Sequence, residues 1–435
     1  MAKNSTSLFM VRVLYNLLLP LVLVLGVGPW VIKMLKRGGF GTGLLERVGI
    51  YKESIDFEPS GVVYVHAVSV GEVLIALKLI AAWQVEHPQD TFVLAPTTAT
   101  GHAVAIESAP ANVRVIYSPI DLPFVVANVF KRFEPRQIVL IESEVWPNLL
   151  SMASKRGIPI TVGNARLSAR SERRYQKVGW LVKPIFALFD KVGVPEEADK
   201  LRWQSIGVPA PALEVTGSIK FDQSGAASAQ KRPEFQQMID GFGADRPVVM
   251  ALSTHAGEEK LIAAAMQEVA GDALCVIVPR HAERRAEVKS DIESLGYEVV
   301  LRSDYKTPNS PEKACFVIDS TGEMRDWTVQ ASVAIVGKSF LGKGGQNPTE
   351  AIAARVPVIT GPDMSNFEPL VSMLKKAKGI VSVENPSELA GAIDQLLKGD
   401  YPSPTMLEDA QNVLKLHQGA TRKTVNSLRA FLING

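Results

Sequence analysis

Only two of the 435 residues are cysteine, Cys275 and Cys315, too few for a disulfide scaffold or a Cys-rich metal site. Both lie in apolar runs, ALCVIV and ACFVID, where a thiol reads as a small buried hydrophobe. Six scattered histidines form no H-E-x-x-H pair. The chain has no Asp-x-Asp, no G-x-x-x-x-G-K-[ST] phosphate loop and no G-x-G-x-x-G after a strand-like run. These absences disfavour metal-dependent and ATP-driven chemistry, so neither a metal nor a cofactor is expected. Charged residues make up 21% and hydrophobic residues 46%, which excludes a mainly disordered chain.

A net positive excess is also missing outside one place. Residues 1–50 carry six basic side chains and a single acid, Glu46. The formal charge of the whole chain is +2, so the body is slightly acidic. A nucleic-acid-binding protein would spread or cluster its basic residues over a folded face, and the charge distribution disfavours that class.

What is present begins at the N-terminus. Between Arg12 and Lys33 runs VLYNLLLPLVLVLGVGPWVI, 20 uncharged residues. As a helix this run is about 30 Å long, enough for a hydrocarbon core. Pro20, Gly26, Gly28 and Pro29 are tolerated in membrane helices. Bulky Trp30 and the following cations stand where a signal-peptide cleavage site would need small residues. Residues 1–37 therefore read as an uncleaved membrane anchor. The denser positive flank (Lys33, Lys36, Arg37, Arg47) follows the run and places the body on the cytoplasmic side. The same cluster suits anionic lipid headgroups.

From residue 61 short Val/Ile/Leu runs alternate with helix-like stretches. GVVYVHAV, TFVLAPTT, RVIYSPI, QIVLIESE, PITVGNA and KVGVPE form one series. A second begins at Pro247: PVVMALST, LCVIVPR, YEVVLRS, ACFVIDS, VAIVGKS, VPVITG and GIVSV. Such runs indicate parallel strands buried on both faces, and two series indicate two doubly wound, Rossmann-like α/β domains. The polar stretch FDQSGAASAQKRPE (221–234) marks the boundary. The expected domains are residues 38–225 and 226–435, the latter including the C-terminal helices.

In open parallel sheets, ligands bind beyond the carboxyl ends of the strands. The first strand runs into His66-Ala67-Val68-Ser69-Val70-Gly71-Glu72. Ser69 and Glu72 have capping-box spacing. A functional reading instead places Glu72 at the cleft rim as a general base, a first-turn carboxylate favoured by the helix dipole. The fourth strand ends in Glu142-Ser143-Glu144-Val145-Trp146-Pro147-Asn148, the fifth in Gly163-Asn164-Ala165-Arg166-Leu167-Ser168. In the second half, Ser253-Thr254-His255, Pro279-Arg280-His281, Asp319-Ser320-Thr321-Gly322-Glu323-Met324 and Gly344-Gly345-Gln346-Asn347-Pro348-Thr349-Glu350 all stand at strand ends that open helices. Each alone is an ordinary helix start. Together on one sheet they suit a nucleotide, with phosphate near backbone N–H groups and Arg280 and with Glu350 accepting from ribose hydroxyls.

The ordered set HAVSVGE (66–72), ESEVWPN (142–148), NARLS (164–168), GSIKFD (217–222), PRHAER (279–284), GEM (322–324) and GGQNPTE (344–350) resembles the 3-deoxy-D-manno-octulosonic acid (Kdo) transferases of lipid A biosynthesis. The segment GTGLLERVG (41–49) fits as well. The resemblance spans roughly residues 10–430. It implies a GT-B glycosyltransferase with the acceptor on the N-terminal domain and the donor on the C-terminal one. The implied reaction moves Kdo from CMP-Kdo, with inversion and without metal, to a tetraacylated lipid A precursor (lipid IVA) at the cytoplasmic face of the inner membrane. By motif matching, Glu72 takes the general-base position, and Glu142 and Lys220 take transition-state-stabilising positions. CMP contacts fall to Pro279, Arg280, Gly322, Glu323, Met324, Asn347, Pro348, Thr349 and Glu350. Gln346 departs from the family's usual His and cannot become cationic. A different nucleotide-sugar GT-B enzyme, such as an epimerase-like protein, and a membrane-tethered sugar-nucleotide sensor that binds without turnover are the alternatives. The anchor and Glu72 argue against the first, and Glu72 argues against the second.

Overall fold

The computed structural model describes residues 6–36, 43–52, 59–224 and 229–432. Parts of three sequence expectations lie outside these: the ends of the 1–37 anchor, the first two residues of the 41–49 motif, and residues 225–228 of the boundary stretch. Residues 1–222 with 417–435 make one compact unit, and residues 223–416 make a second.

The first unit holds β1 (Val63–Ala67), β2 (Phe92–Pro96), β3 (Val113–Val115), β4 (Gln137–Ile141), β5 (Ile160–Gly163), β6 (Lys191–Val194) and β7 (Leu213–Val215). All pair in parallel in the order β3-β2-β1-β4-β5-β6-β7. Strands β1, β2 and β4 are buried at every position, because helices cover both faces. The edge strand β7 escapes a reading based on apolar runs: it is three residues long, with Glu214 and Val215 exposed.

The second unit holds β8 (Val248–Thr254), β9 (Leu274–Pro279), β10 (Glu298–Leu301), β11 (Ala314–Val317), β12 (Val333–Val336), β13 (Val358–Thr360) and β14 (Val381–Ser382). Its order is β10-β11-β9-β8-β12-β13-β14, again all parallel. Cys275 and Cys315 face each other across β9 and β11, buried and unbridged. The architecture is that of GT-B proteins, two Rossmann-like parallel-sheet units.

The C-terminal helix Ala420–Arg429 corrects the expected partition. It packs on the first unit, against helix Val70–Glu86 and strands β5 and β6. Its buried Val425 and Leu428 join Leu79 and Ile80 in one core cluster. Gln137 in β4 donates to the Leu428 carbonyl at 2.9 Å. The Asp222 carboxylate accepts from the Gly419 and Thr421 N–H groups at 3.0 and 2.8 Å. The sequence pattern reveals an apolar stripe on this helix but not the surface that receives it.

The N-terminal helix runs unbroken from Thr6 to Lys36, 31 residues. By length and composition, Thr6–Gly26 is apolar enough to cross a membrane. Its first half is also a working part of the fold. Leu8 and Val11 are buried in the cluster containing Leu149, Leu150, Ile185 and Phe186, while Phe9, Leu17, Leu21, Val24 and Leu25 remain exposed.

Candidate active site

In the first unit the chain runs outward from β1 to β3, then returns to place β4 on the other side of β1. That reversal opens a crevice at the carboxyl ends of β1 and β4. The first turn of the helix after β1 carries Glu72, and the loop after β4 carries Glu142 and Glu144.

Ser69 caps helix Val70–Glu86 by accepting from the Glu72 N–H. The Glu72 carboxylate reaches back and accepts from the Ser69 hydroxyl at 2.9 Å and the Val68 N–H at 2.7 Å. The Ser69 half of a capping box is present, while the carboxylate reaches one residue further back, and these bonds fix the rotamer of a side chain on a residue only 9% exposed. A carboxylate has about four lone-pair sites, so two donors leave it able to accept another.

Across the crevice, Glu142 takes a left-handed conformation, φ 62°, rare for a residue with a side chain. Its N–H still donates to the Gly163 carbonyl at 3.1 Å, so the backbone leaves the sheet immediately after β4. Burial raises the Glu142 carboxyl above the ordinary range. Arg166 and Lys220 oppose that shift, and Glu72 adds to it. Burial, then Glu72 and also Glu142, push Glu144 up to about 7. The Lys220 ammonium is lowered by burial and by Arg166, against the pull of Glu142. Three carboxylates and two cations therefore share one field.

Lys220 is positioned by its loop. The Asn164 side-chain oxygen accepts from the Ile219 N–H at 2.9 Å, and His417 Nδ1 accepts from the Ser218 N–H at 3.2 Å. Lys78 donates to the Ile219 carbonyl at 3.0 Å and to the Asp222 carbonyl. Burial lowers His417 to about 4, so a neutral ring serves as acceptor near neutral pH. The structure brings Glu72, Glu142 and Lys220 together. It adds Glu144 and Arg166, which stand in the same motifs but carry no assigned role from the sequence.

In the second unit a cavity of about 490 Å³ lies beyond β8, β9 and β11. Pro279, Arg280, Gly322, Met324 and Glu350 line it, as do Ser253, Ser320, Thr321, Arg325 and Asp326. One Glu350 oxygen is buried without a hydrogen-bond partner, while the other lies 3.7 Å from Arg325. Four residues expected at the nucleotide do not line the cavity. Glu323 is bound to Ser320 and lies 3.4 Å from Arg302. Asn347 accepts from the Thr349 N–H and hydroxyl at 3.1 and 2.8 Å. Thr349 also takes a bond from Gln223, and Pro348 is buried beside them.

Sequence reasoning passed over Glu258. Fully buried, it accepts from the N–H groups of His255 at 3.0 Å, Phe340 at 3.1 Å and Lys338. One carboxylate thereby ties the loop after β8 to the loop after β12, the switch point of this sheet. A first-turn acid behind Gly257 was the available signal. Gly337 is needed there, since a Cβ would lie 2.5 Å from the Ser253 carbonyl oxygen. Gln346 Nε2 and His255 Nε2 lie 2.9 Å apart, a hydrogen bond that needs no charge at position 346.

Residues 42–223 match the family described as 3-Deoxy-D-manno-octulosonic-acid transferase (kdotransferase). The 3-deoxy-D-manno-octulosonic acid transferase of Haemophilus influenzae is 30% identical over 397 residues, covering 89% of this chain and 91% of that protein. The enzyme of the same name from Bordetella pertussis is 32% identical over 384 residues, covering 85% and 87%. Among solved structures, UDP-GlcNAc 2-epimerase from Neisseria meningitidis superposes with a TM-score of 0.53 at 15% identity, covering 86% of this chain and 100% of that one, a likeness of fold alone. The carboxylates and lysine gathered at the first switch point thus sit in a chain aligned along nearly its whole length with such transferases, and this chain belongs to the Kdo transferase family.

Proposed function

We propose that the protein transfers Kdo from CMP-Kdo to a tetraacylated lipid A precursor, lipid IVA, at the cytoplasmic face of the inner membrane. The observation that carries this reading is the coupled group Glu72, Glu142, Glu144, Arg166 and Lys220 at the β1/β4 switch point of a Kdo transferase.

In this reading Glu72 accepts the proton of the attacking sugar hydroxyl through its remaining lone pairs. The new bond forms at the anomeric carbon of Kdo as the bond to the CMP phosphate oxygen breaks, and the electron pair leaves with CMP. One base with no nucleophilic carboxylate suits direct displacement with inversion, by analogy with glycosidases. Lys220, set against Glu142, offers positive charge to the developing anion. Arg280 offers a bidentate site for the single phosphodiester, and the unpartnered oxygen of Glu350 suits a ribose hydroxyl. The charge to be stabilised is small enough for these groups to serve without a metal. The N-terminal helix, apolar by composition, suits an acceptor held in a bilayer.

Mass spectrometry of the lipid after incubation with CMP-Kdo and the tetraacyl precursor, without added metal, tests the proposal. A gain of one or more Kdo units is expected, and its size gives the number transferred. An unchanged lipid with intact donor, from protein that binds CMP, refutes it.

A further inference from the structure

An apolar groove of about 300 Å³ opens in the first unit, away from the carboxylates themselves but adjoining their loop. Val11, Leu14 and Leu18 of the N-terminal helix form one wall. Leu181 and Val182 of helix Gly179–Phe186 form the other. Val145 and Pro147, one and three residues beyond Glu144, line it as well. The groove thus runs from a helix with an exposed apolar outer face to the loop that holds the titrating carboxylates.

Two further features define what fits. Tyr175 lines the groove from helix Ala169–Lys177. The exposed face of that helix carries Arg170, Arg173, Arg174 and Lys177. The only acid on the helix, Glu172, is engaged by Ser205 and Gln176. Next to these cations Trp180 stands 66% exposed, an amphipathic ring of the kind that settles at a membrane–water interface. An apolar slot beside cations that have no acidic partner among the described residues complements an amphiphile with a hydrocarbon chain and an anionic headgroup.

We propose that this groove holds one acyl chain of the lipid acceptor and so sets the acceptor's position against the loop carrying Glu142 and Glu144. The inference rests on the Kdo-transfer reading and adds a specificity element to it. A hydrocarbon chain gains little by moving from bilayer to groove, since both are apolar. The groove therefore acts by shape, admitting a chain of suitable length and rejecting a poor fit.

Wild-type turnover on the tetraacyl acceptor is measured first, and its absence refutes the reaction, not the groove. The groove is then tested by Val182→Trp, which fills it. KM for the tetraacyl acceptor is expected to rise by about tenfold or more, as for other mismatches in apolar pockets. CMP affinity and turnover on a partly deacylated acceptor stay near wild type. Leu181→Ala widens the slot, and the preferred chain length of the acceptor should increase. Equal losses on both acceptors, or no change in chain preference with either variant, overturn the proposal. Independently, an anionic lipid with a diazirine on its chain, in phosphatidylglycerol vesicles, should label Leu14, Tyr175 or Val182, and the tetraacyl acceptor should compete. Labelling that the acceptor fails to displace assigns the groove to bulk phospholipid and also overturns it.

Discussion

Replacing Glu72 by Gln separates the structural duty of this side chain from its chemical one. The native carboxylate accepts from the Val68 N–H at 2.7 Å and the Ser69 hydroxyl at 2.9 Å. The amide retains an acceptor oxygen for Val68, and its NH₂ donates to the Ser69 oxygen, so both contacts survive in neutral form. Losing charge assistance costs about 1 kcal/mol per bond, and losing the first-turn charge costs about 0.3–1 kcal/mol. Relief of the repulsion that Glu72 exerts on Glu142 and Glu144 offsets part of this. A net loss of about 1–2 kcal/mol lowers Tm by roughly 2–8 °C for a unit of this size. Loss of a general base costs roughly 10²–10⁴ in rate. Transfer measured by lipid mass spectrometry should therefore collapse, while Tm falls by a few degrees and CMP titration, read in the other unit, is unchanged. Ser69→Ala is the control: it loses a cap worth about 1 kcal/mol and keeps the carboxylate, so it should retain most turnover. If Glu72→Gln turns over within about threefold of wild type, Glu72 is a helix cap and not the base.

Glu144 has a folded-state pKa of about 7, above its ordinary value, so the folded protein holds its proton where the unfolded chain has released it. Stability then falls as pH rises from about 4.5 toward 7 and levels off above. Glu144→Gln should flatten that decline in melting curves; parallel curves for variant and wild type would show that Glu144 titrates normally. Glu350→Gln should weaken CMP binding about tenfold in calorimetry if the unpartnered oxygen receives a ribose hydroxyl, whereas an unchanged Kd removes Glu350 from the site. Asn148 exchanges side-chain hydrogen bonds with Asn16 at 2.8 and 3.0 Å and donates its N–H to Asp121 at 2.9 Å. Asn148→Ala takes the Asn148 donor from the Asn16 side-chain oxygen and the Asp121 carbonyl, at a cost of about 1–3 kcal/mol. Faster proteolysis within the N-terminal helix is expected, and unchanged cleavage would mean that the polar contact does not hold the helix.

The sheets were legible because parallel strands buried on both faces write themselves as unbroken Val/Ile/Leu runs, as in VVYVHA and QIVLIE. β7 was not, since a three-residue edge strand with two exposed positions carries no such run. The carboxylates at 72 and 142 were legible as strand-end residues. Their coupling to Glu144 and Arg166 was not, because it depends on Glu142 turning left-handed where β4 ends. The nucleotide residues were only half legible. A motif such as GGQNPTE does not distinguish Glu350, which lines the cavity, from Asn347 and Thr349, which bond each other. Glu258 looked like one more first-turn acid, and only the three-dimensional closeness of the loops after β8 and β12 gives it a purpose. The N-terminal helix was read as an anchor because its hydropathy is evident, whereas the burial of Leu8 and Val11 depends on a surface more than 130 residues away.

The return of the C-terminal helix to the first unit has a consequence for synthesis. Domains ordinarily fold in order as they leave the ribosome. Here residues 1–222 emerge long before the helix that covers Leu79, Ile80 and Gly163, so the first unit waits, with an apolar face uncovered, while the entire second unit is translated. The second unit, contiguous from 223 to 416, has everything it needs first. Nascent chains paused before residue 417 should expose that face to chaperones, and the segment from His417 onward closes the first unit when it emerges.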